Sequence, residues 1–161
     1  GQCSGIAISA NGDAQRFSAW DYPVLADTIH DVGPLAGLLS GLEWAEAAGF
    51  DMLLSVPVDT PGIPVNLAKT LLPAPSYATY GRQQHSLVAL WPVCAARALL
   101  AAQLTGMTEQ NRKQKTRVCT LAQALDAQPV DFMALSSSDP FLNINTPEDL
   151  RAVQALWPTL T

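Results

Sequence analysis

A short apolar run that ends at an acid on a proline-rich turn constrains this chain more than any other feature. Residues 52–58 (MLLSVPV) are almost continuously apolar, which predicts a strand buried on both faces. Asp59 follows, and residues 60–64 (TPGIP) prevent the strand from continuing. Ligands of open α/β sheets bind beyond the carboxyl ends of the strands. The pattern therefore places a carboxylate where it could hold a metal ion against a phosphate, although Asp-Thr-Pro is also ordinary turn chemistry.

Strand and helix patterns alternate along the first part of the chain. Residues 5–10 and 24–26 are short apolar pieces that predict strands. Gly33-Pro34 predicts a helix start, and leucines then recur at spacings of three and four until Gly49. This order predicts a mostly parallel sheet with right-handed crossovers. We expect one α/β domain over residues 1–161, a Rossmann-like three-layer sandwich.

The rest of the chain predicts further helices and strands separated by polar loops. A hairpin is expected where two strands, 77–80 and 87–90, flank the turn signal Gly81-Arg82-Gln83-Gln84. Thr146-Pro147-Glu148-Asp149 predicts the start of a closing helix. The other expected elements are a helix after Pro64, a helix from Pro92 to Leu104, a polar loop over 105–115, a helix capped by Thr120, a strand over 130–135 and a polar loop over 136–145.

Composition narrows the class of protein. A net charge of −5 and a pI near 4.7 argue against a nucleic-acid surface, which needs a basic footprint. Apolar runs are too short for a membrane span. Cys3, Cys94 and Cys119 have no pairing or metal-ligand spacing. Buried free thiols in a reducing cytoplasm are expected.

Three segments together resemble the molybdenum cofactor guanylyltransferases, also called molybdopterin-guanine dinucleotide synthases. Residues 33–37 (GPLAG) resemble the family's helix start, and residues 56–61 (VPVDTP) match its P-x-D-T-P motif. Residues 141–150 (FLNINTPEDL) resemble its F-x-N-x-N-T-P-E-D-L ending. His85 stands where the family usually shows a His-Pro pair, but Ser86 replaces the proline. The resemblance runs from Gly5 onward and implies a nucleotide-diphospho-sugar transferase-like fold.

The resemblance also implies that the family's first strand-loop-helix unit is missing. That unit carries a glycine-rich L-A-G-G loop followed by Arg and Lys, whereas this chain has no Gly-Gly pair and no basic residue before Arg16. We expect an absent segment of roughly forty residues, because a parallel strand needs a crossover as well. Without the loop's positive charges, these 161 residues alone are expected to bind GTP poorly and to transfer nothing measurable.

The reaction implied by the resemblance is transfer of GMP from GTP to the terminal phosphate of molybdopterin, with release of pyrophosphate. Such a displacement depends on alignment and charge neutralisation more than on covalent help. Asp59 matches the family's metal-binding aspartate and is the expected catalytic residue. It would hold Mg²⁺ between the α-phosphate of the nucleotide and the attacking phosphate.

The resemblance implies further GTP contacts at Ser9, Asp27, Gly33, Pro34 and Gly37. Asp27 matches a nucleotide-contacting aspartate, and a carboxylate can accept both N1–H and N2–H of guanine. The two glycines would let the backbone approach the nucleotide at a helix start. Ser9 replaces the family's usual Asn. Ordinary alternatives stay open, namely an exposed loop acid for Asp27 and a simple helix start for the glycines.

Asn143, Asn145 and His85 are the residues that the resemblance assigns to molybdopterin. The two asparagines offer paired donors and acceptors, but asparagine also forms turns before a helix cap. His85 could contact the acceptor phosphate or pack as an ordinary histidine. The implied partners are GTP and molybdopterin as substrates, with molybdoenzymes or cofactor-delivery proteins as recipients, and no nucleic acid or membrane.

Alternative functions follow from the same residues. A cytidylyl-transferring relative or a sugar-phosphate nucleotidylyltransferase would keep the fold and change the nucleotide or acceptor. A third alternative is a non-catalytic, degenerate domain that binds a partner or the cofactor without transferring a nucleotide. The absence of the glycine-rich loop supports this alternative. A metal-dependent glycosyltransferase would usually need a D-x-D pair, but prolines stand two positions either side of Asp59.

Overall fold

The computed structural model describes residues 1–29, 31–105 and 117–156. These residues form six strands, five α-helices and one 3₁₀ helix over Ala14–Phe17. The strands are β1 (Ile8–Ser9), β2 (Val24–Leu25), β3 (Met52–Ser55), β4 (Ser76–Tyr80), β5 (Gln83–Pro92) and β6 (Gln128–Asp131). The helices are α1 (Pro34–Ala47), α2 (Leu67–Thr70), α3 (Val93–Thr105), α4 (Val118–Ala124) and α5 (Pro147–Leu156).

The described strands form two sheets. β1 and β2 pair in parallel, and a four-stranded sheet has the order β3-β5-β4-β6. Within it β5 pairs antiparallel with both β3 and β4, whereas β4 and β6 are parallel. The expected mostly parallel sheet is therefore wrong for the larger sheet, which is mixed. The cause is the tight turn at Gly81-Arg82, because a two-residue connection joins only antiparallel strands.

Side chains of β5 alternate between two hydrophobic clusters, as the period of a strand requires. Leu87, Ala89 and Trp91 belong to a cluster with α1, α3 and α4. Val88 and Leu90 belong to a cluster on the other face, with α2 and the buried rings of Phe132 and Phe141. Both faces of the four-stranded sheet are thus covered, and the architecture is a mixed α/β domain with the sheet as its middle layer.

The strand after the first long helix differs from its prediction. β3 ends at Ser55 rather than at Val58, and Pro57 lies in the irregular segment that follows the strand. The strand is not buried on both faces, because it borders a large cleft. Met52 is 49% exposed and Val56 is 43% exposed.

Local signals predicted several other elements well. The first long helix begins at Pro34 as expected, and the hairpin strands lie where the turn signal placed them, with Gln83 and Gln84 inside β5. Thr120 is not a cap, since α4 begins at Val118. The strand expected over 130–135 is shifted to β6, Gln128–Asp131. The polar loop predicted over 105–115 lies outside the described residues beyond Thr105.

The expectation that the thiols are buried is also wrong. Cys3 and Cys94 are exposed and Cys119 is partly exposed, and all are free. In the parts of the chain that the structure describes, no helix has the length and apolar character needed to cross a membrane.

Candidate active site

A cleft of about 1370 Å³ lies between the two sheets. Strands β1 and β3 both line it, and α1 packs against both of them. The structure brings every residue that the sequence assigned to GTP to this cleft. These residues are Ser9, Asp27, Gly33, Pro34, Gly37 and Asp59.

Gly37 brings the start of α1 against β1. A Cβ at this position would collide with the Ser9 hydroxyl oxygen, and it would lie 3.3 Å from Ser9 Cβ and 3.6 Å from Asp27 Oδ1. Gly33 is the N-cap residue of the same helix, with φ of 60°. That left-handed backbone favours glycine, and Pro34 occupies the first turn as expected. The G-P-L-A-G segment therefore allows close approach of a helix start to the cleft.

Asn11 is a residue of the cleft that the sequence did not assign to the site. Its side-chain amide donates to Asp27 Oδ2 across 2.6 Å, and its Oδ1 accepts from the Asp27 backbone amide at 2.9 Å. Arg16 Nη2 donates to the Asn11 carbonyl at 2.9 Å. Asn11 thus fixes the orientation of the Asp27 carboxylate. The sequence did carry a signal for this role, because Asn11 is a polar residue directly after the strand predicted over residues 5–10.

Asp59 is half-buried and lies on a turn held by backbone hydrogen bonds. Thr60 is buried, and its hydroxyl donates to the Pro57 carbonyl at 2.8 Å. The Ile144 amide donates to the Asp59 carbonyl at 2.8 Å. Asp59 also borders a second recess of about 660 Å³, lined mainly by apolar side chains that include Val58 and Leu150. The acid therefore stands between the cleft and the C-terminal loop.

Asn143 and Asn145 lie on that loop, on either side of Ile144, and both are exposed. Neither lines the large cleft. The backbone amide of Asn145 donates to Asp149 Oδ2 at 3.0 Å, as part of the cap of α5. The hydrogen bond between Ile144 and Asp59 nevertheless fixes this loop beside the acid.

His85 is hydrogen-bonded to Asp139, an acid that the sequence did not assign to the site. Its Nε2 lies 2.9 Å from Asp139 Oδ2, and each side chain is 8% exposed. Asp139 Oδ1 accepts from the Phe141 amide at 2.9 Å. The signal in the sequence was weak, an acid two residues before a buried aromatic in an otherwise polar loop.

The cap of α5 contains a carboxylate with a shifted pKa. Hydrogen bonds from the Asn145 amide, and then from the hydroxyl and amide of Thr146, lower the pKa of Asp149 below its ordinary value of 3.8. The Thr146 hydroxyl accepts from the Asp149 amide at 3.1 Å, so the two residues cap each other. The helix start predicted at Thr146-Pro147-Glu148-Asp149 is confirmed, with both acids in the first turn of α5.

The ionisable side chains of the cleft carry an unbalanced charge. The acids that line it are Asp27, Asp51 and Asp59, and Lys69 is the basic side chain among its lining residues. In the described part of the chain, no group of three or more His, Cys, Asp or Glu side chains could hold a metal ion by itself. Mg²⁺ needs less than this, since one or two carboxylates together with substrate phosphates commonly hold it.

Comparison with known families identifies the family of this chain. The family described as the MobA-like NTP transferase domain matches residues 1–127. The chain belongs to this family. Its molybdenum cofactor guanylyltransferase relatives include one from Acidiphilium cryptum (strain JF-5), 45% identical over 156 residues, which cover 96% of this chain and 75% of that protein. Another, from Cereibacter sphaeroides (strain ATCC 17029 / ATH 2.4.9), is 40% identical over 159 residues, covering 96% of this chain and 76% of that protein.

A solved structure shares the fold of this MobA-like chain. The crystal structure of protein Aq1419 from Aquifex aeolicus VF5 matches with a TM-score of 0.65 at 20% sequence identity. The match covers 87% of this chain and 70% of the other. At that identity the likeness concerns the fold alone.

Proposed function

We propose that this protein transfers GMP from GTP to molybdopterin and so forms the guanine dinucleotide form of the molybdenum cofactor. The observation that carries the proposal is that six predicted nucleotide residues lie in one cleft, and that one of them, Asp59, is an acid on a rigid turn. The names of relatives that are 36–45% identical supply the guanylyl group and the acceptor. In the proposed reaction, an oxygen of the acceptor phosphate attacks the α-phosphorus of GTP, and pyrophosphate leaves with the bonding electrons.

Within this proposal Asp59 is the catalytic residue and the protein's ligand to Mg²⁺. Its carboxylate fits that ion because oxygen donors are what Mg²⁺ prefers and because substrate phosphates complete such sites. When bound, Mg²⁺ would neutralise charge on the reacting phosphates. The turn around Asp59 is fixed by Thr60 and Ile144, so little reorganisation is needed when the substrates bind.

Asp27 is the proposed partner of the guanine base. One of its oxygens is held by Asn11 at 2.6 Å, and the other faces the start of α1 near Gly37. A carboxylate fixed in this way can accept from adjacent N–H groups of guanine, whereas cytosine presents a different pattern of donors and acceptors. The nucleotide would lie against a surface formed by Ser9, Gly33, Pro34 and Gly37. Asn143, Asn145 and His85 belong to the acceptor side in the same proposal.

We also propose that a strand-loop-helix unit completes the cleft. Among the described strands, β1 pairs with β2 and β3 with β5, so each has a free edge, and both strands line the cleft. Free edges favour pairing with a further strand. Acids outnumber bases among the lining side chains, whereas a triphosphate needs positive charge. A loop that carries Arg and Lys would supply that charge.

The excess of acids over bases in the cleft predicts how the chain binds nucleotide. Isothermal titration of the 161-residue chain with Mg-GTP is expected to show weak binding. A protein that also carries the proposed strand-loop-helix unit, called the full-length protein below, is expected to bind tightly. Micromolar affinity of the 161-residue chain would contradict the need for a further unit.

The function itself is tested with the full-length protein, molybdopterin, Mg²⁺ and equimolar GTP and CTP. Chromatography and mass spectrometry of the released cofactor should show the guanine dinucleotide, with one pyrophosphate for each product. A cytosine dinucleotide as the main product would contradict the guanylyl assignment. Binding of GTP without any product would favour the non-catalytic domain. The proposal locates the reaction in the cytoplasm, with molybdoenzymes or delivery proteins receiving the product.

A further inference from the structure

His85 and Asp139 form a buried pair that connects the four-stranded sheet to the C-terminal loop. His85 lies on β5, and its Nε2 is 2.9 Å from Asp139 Oδ2. Each side chain is 8% exposed. With its proton on Nε2, the imidazole donates this hydrogen bond and the carboxylate oxygen accepts it. Burial strengthens such a bond, because water competes poorly for either partner.

The second oxygen of Asp139 holds the loop itself. Oδ1 accepts from the Phe141 amide at 2.9 Å, two residues further along the chain. The Phe141 ring is fully buried and packs edge-on against Phe132, with centroids 4.9 Å apart. The same ring lies 5.2 Å from the imidazole of His85. Asp139 therefore shapes the loop through one oxygen and fixes it to β5 through the other.

The other side of this loop is packed against the turn that carries Asp59. The Ile144 amide donates to the Asp59 carbonyl at 2.8 Å. The Pro140 carbonyl approaches Gly62 so closely that a Cβ there would lie 2.7 Å from its oxygen. Residues 139–144 are thus held between His85 on one side and residues 59–62 on the other.

We infer that Asp139 is a positioning residue, which acts with His85 to hold Asn143 and Asn145 at a fixed place beside Asp59. The inference rests on the proposed function, because it assigns those asparagines to the acceptor. Both are exposed and are held in place by the backbone of the loop. A displacement of about 1 Å at such a position can reduce a reaction rate about 100-fold. His85 then serves the acceptor through Asp139 rather than by contact with its phosphate.

The chain offers a matched control for Asp139. Asp131 Oδ1 also accepts from the amide two residues ahead, that of Met133, at 3.0 Å. It also joins the end of β6 to the hairpin, through the Gly81 amide at 3.1 Å. Neither of these bonds involves His85 or the turn that carries Asp59. Asp131→Ala and Asp139→Ala therefore remove similar local bonds from different segments of the chain.

The experiment compares these variants in the full-length protein by steady-state kinetics and by hydrogen exchange of the Ile144 amide. Asp139→Ala should raise KM for molybdopterin about tenfold or more, leave KM for GTP near its wild-type value and speed exchange at Ile144. Asp131→Ala should leave all three unchanged. His85→Gln keeps an N–H donor for Asp139 and should rescue most of the effect of His85→Ala. Asp139→Asn keeps an oxygen that can accept from the Phe141 amide. It replaces Asp139→Ala in the comparison if the alanine variant does not fold.

Three results would overturn the inference. The first is equal effects of Asp139→Ala and Asp131→Ala on KM for molybdopterin. The second is unchanged exchange at Ile144 in the Asp139 variants. The third is loss of acceptor binding in His85→Ala but not in Asp139→Ala or Asp139→Asn, which would indicate direct phosphate contact by His85. If the wild-type protein forms no dinucleotide, the proposed function fails, whereas exchange at Ile144 still tests the positioning of the loop.

Discussion

The backbone amide of Ile144 donates to the backbone carbonyl of Asp59 across 2.8 Å, although 85 positions of chain separate the two residues. This bond joins the acid at the end of the β3 segment to the loop that carries Asn143 and Asn145. Two segments that resemble family motifs thus meet through backbone atoms. Their side chains can therefore face a common substrate, with the spacing between them set by the fold.

Two glycines on one face of α1 give a paired prediction about the nucleotide side of the cleft. In a helix interior, alanine is more stabilising than glycine by up to about 1 kcal/mol in free energy. At Gly41 a Cβ would lie 3.4 Å from Leu53 Cδ2, an ordinary contact, so Gly41→Ala should raise Tm. At Gly37 a Cβ would collide with the Ser9 hydroxyl, so Gly37→Ala should gain no stability and should raise KM for GTP.

Thermal unfolding and GTP kinetics of the two variants check this pair. Adding Ser9→Gly to Gly37→Ala removes the colliding atoms and should recover stability. A Gly37→Ala protein as stable as Gly41→Ala, with unchanged KM for GTP, would show that the approach of α1 to Ser9 is unimportant.

Gly62 gives a corresponding prediction for the acceptor side. Its missing Cβ makes room for the Pro140 carbonyl, which would be 2.7 Å away, and backbone atoms cannot rotate aside. Gly62→Ala should therefore destabilise the protein by about 1–3 kcal/mol, as overpacking commonly does. It should also raise KM for molybdopterin more than KM for GTP. Urea unfolding and steady-state kinetics test both parts, and equal increases in the two KM values would contradict the second.

The pKa of Asp149 predicts how stability depends on pH. Hydrogen bonds from Asn145 and Thr146 lower that pKa below 3.8 in the folded protein. A lowered folded-state pKa means that the stabilisation is fully present above the ordinary value and is lost as pH falls through the folded value. Wild type should therefore be more stable than Asp149→Asn at neutral pH, and the difference should shrink in strong acid.

Thermal unfolding by circular dichroism at neutral pH and at about pH 2 measures this difference. Glu148→Gln is the matched control, since Glu148 pairs with Arg151 and both side chains are 69% exposed. Exposed pairs of this kind contribute little to stability. A stability difference between wild type and Asp149→Asn that is constant with pH would contradict the assigned role of the carboxylate.

Much of the fold could be predicted where local chemistry decides it. Pro34 in the first turn, leucines at helical spacing and Gly49 after the last turn together predicted α1. The predicted GTP residues also meet, because each follows a strand or begins the helix at the same edge of the fold. The order of strands and helices along the chain sets which residues reach this edge, and local sequence patterns predict that order.

Pairing between distant strands was not predictable in this way. The antiparallel pairing of β5 with β3 depends on residues such as Ala89 and Ser55, and no local periodicity encodes it. The pair of His85 and Asp139 was missed for the same reason, because 54 positions separate its members. A lone acid in a polar loop looks like a solvated side chain until the fold brings its partner to it.

The central claim is that Asp59 carries the transfer of GMP. Asp51 offers a matched control, since it lines the same cleft at the opposite end of β3 and its backbone carbonyl accepts from the Val93 amide, a bond that substitution of the side chain leaves in place. In the full-length protein with Mg-GTP and molybdopterin, Asp59→Asn should lower kcat/KM at least about 100-fold, as expected for loss of the carboxylate that would hold the charge-neutralising Mg²⁺. Asp51→Asn should retain wild-type activity, and both variants should unfold near the wild-type Tm. Equal activity of the two variants would contradict the account.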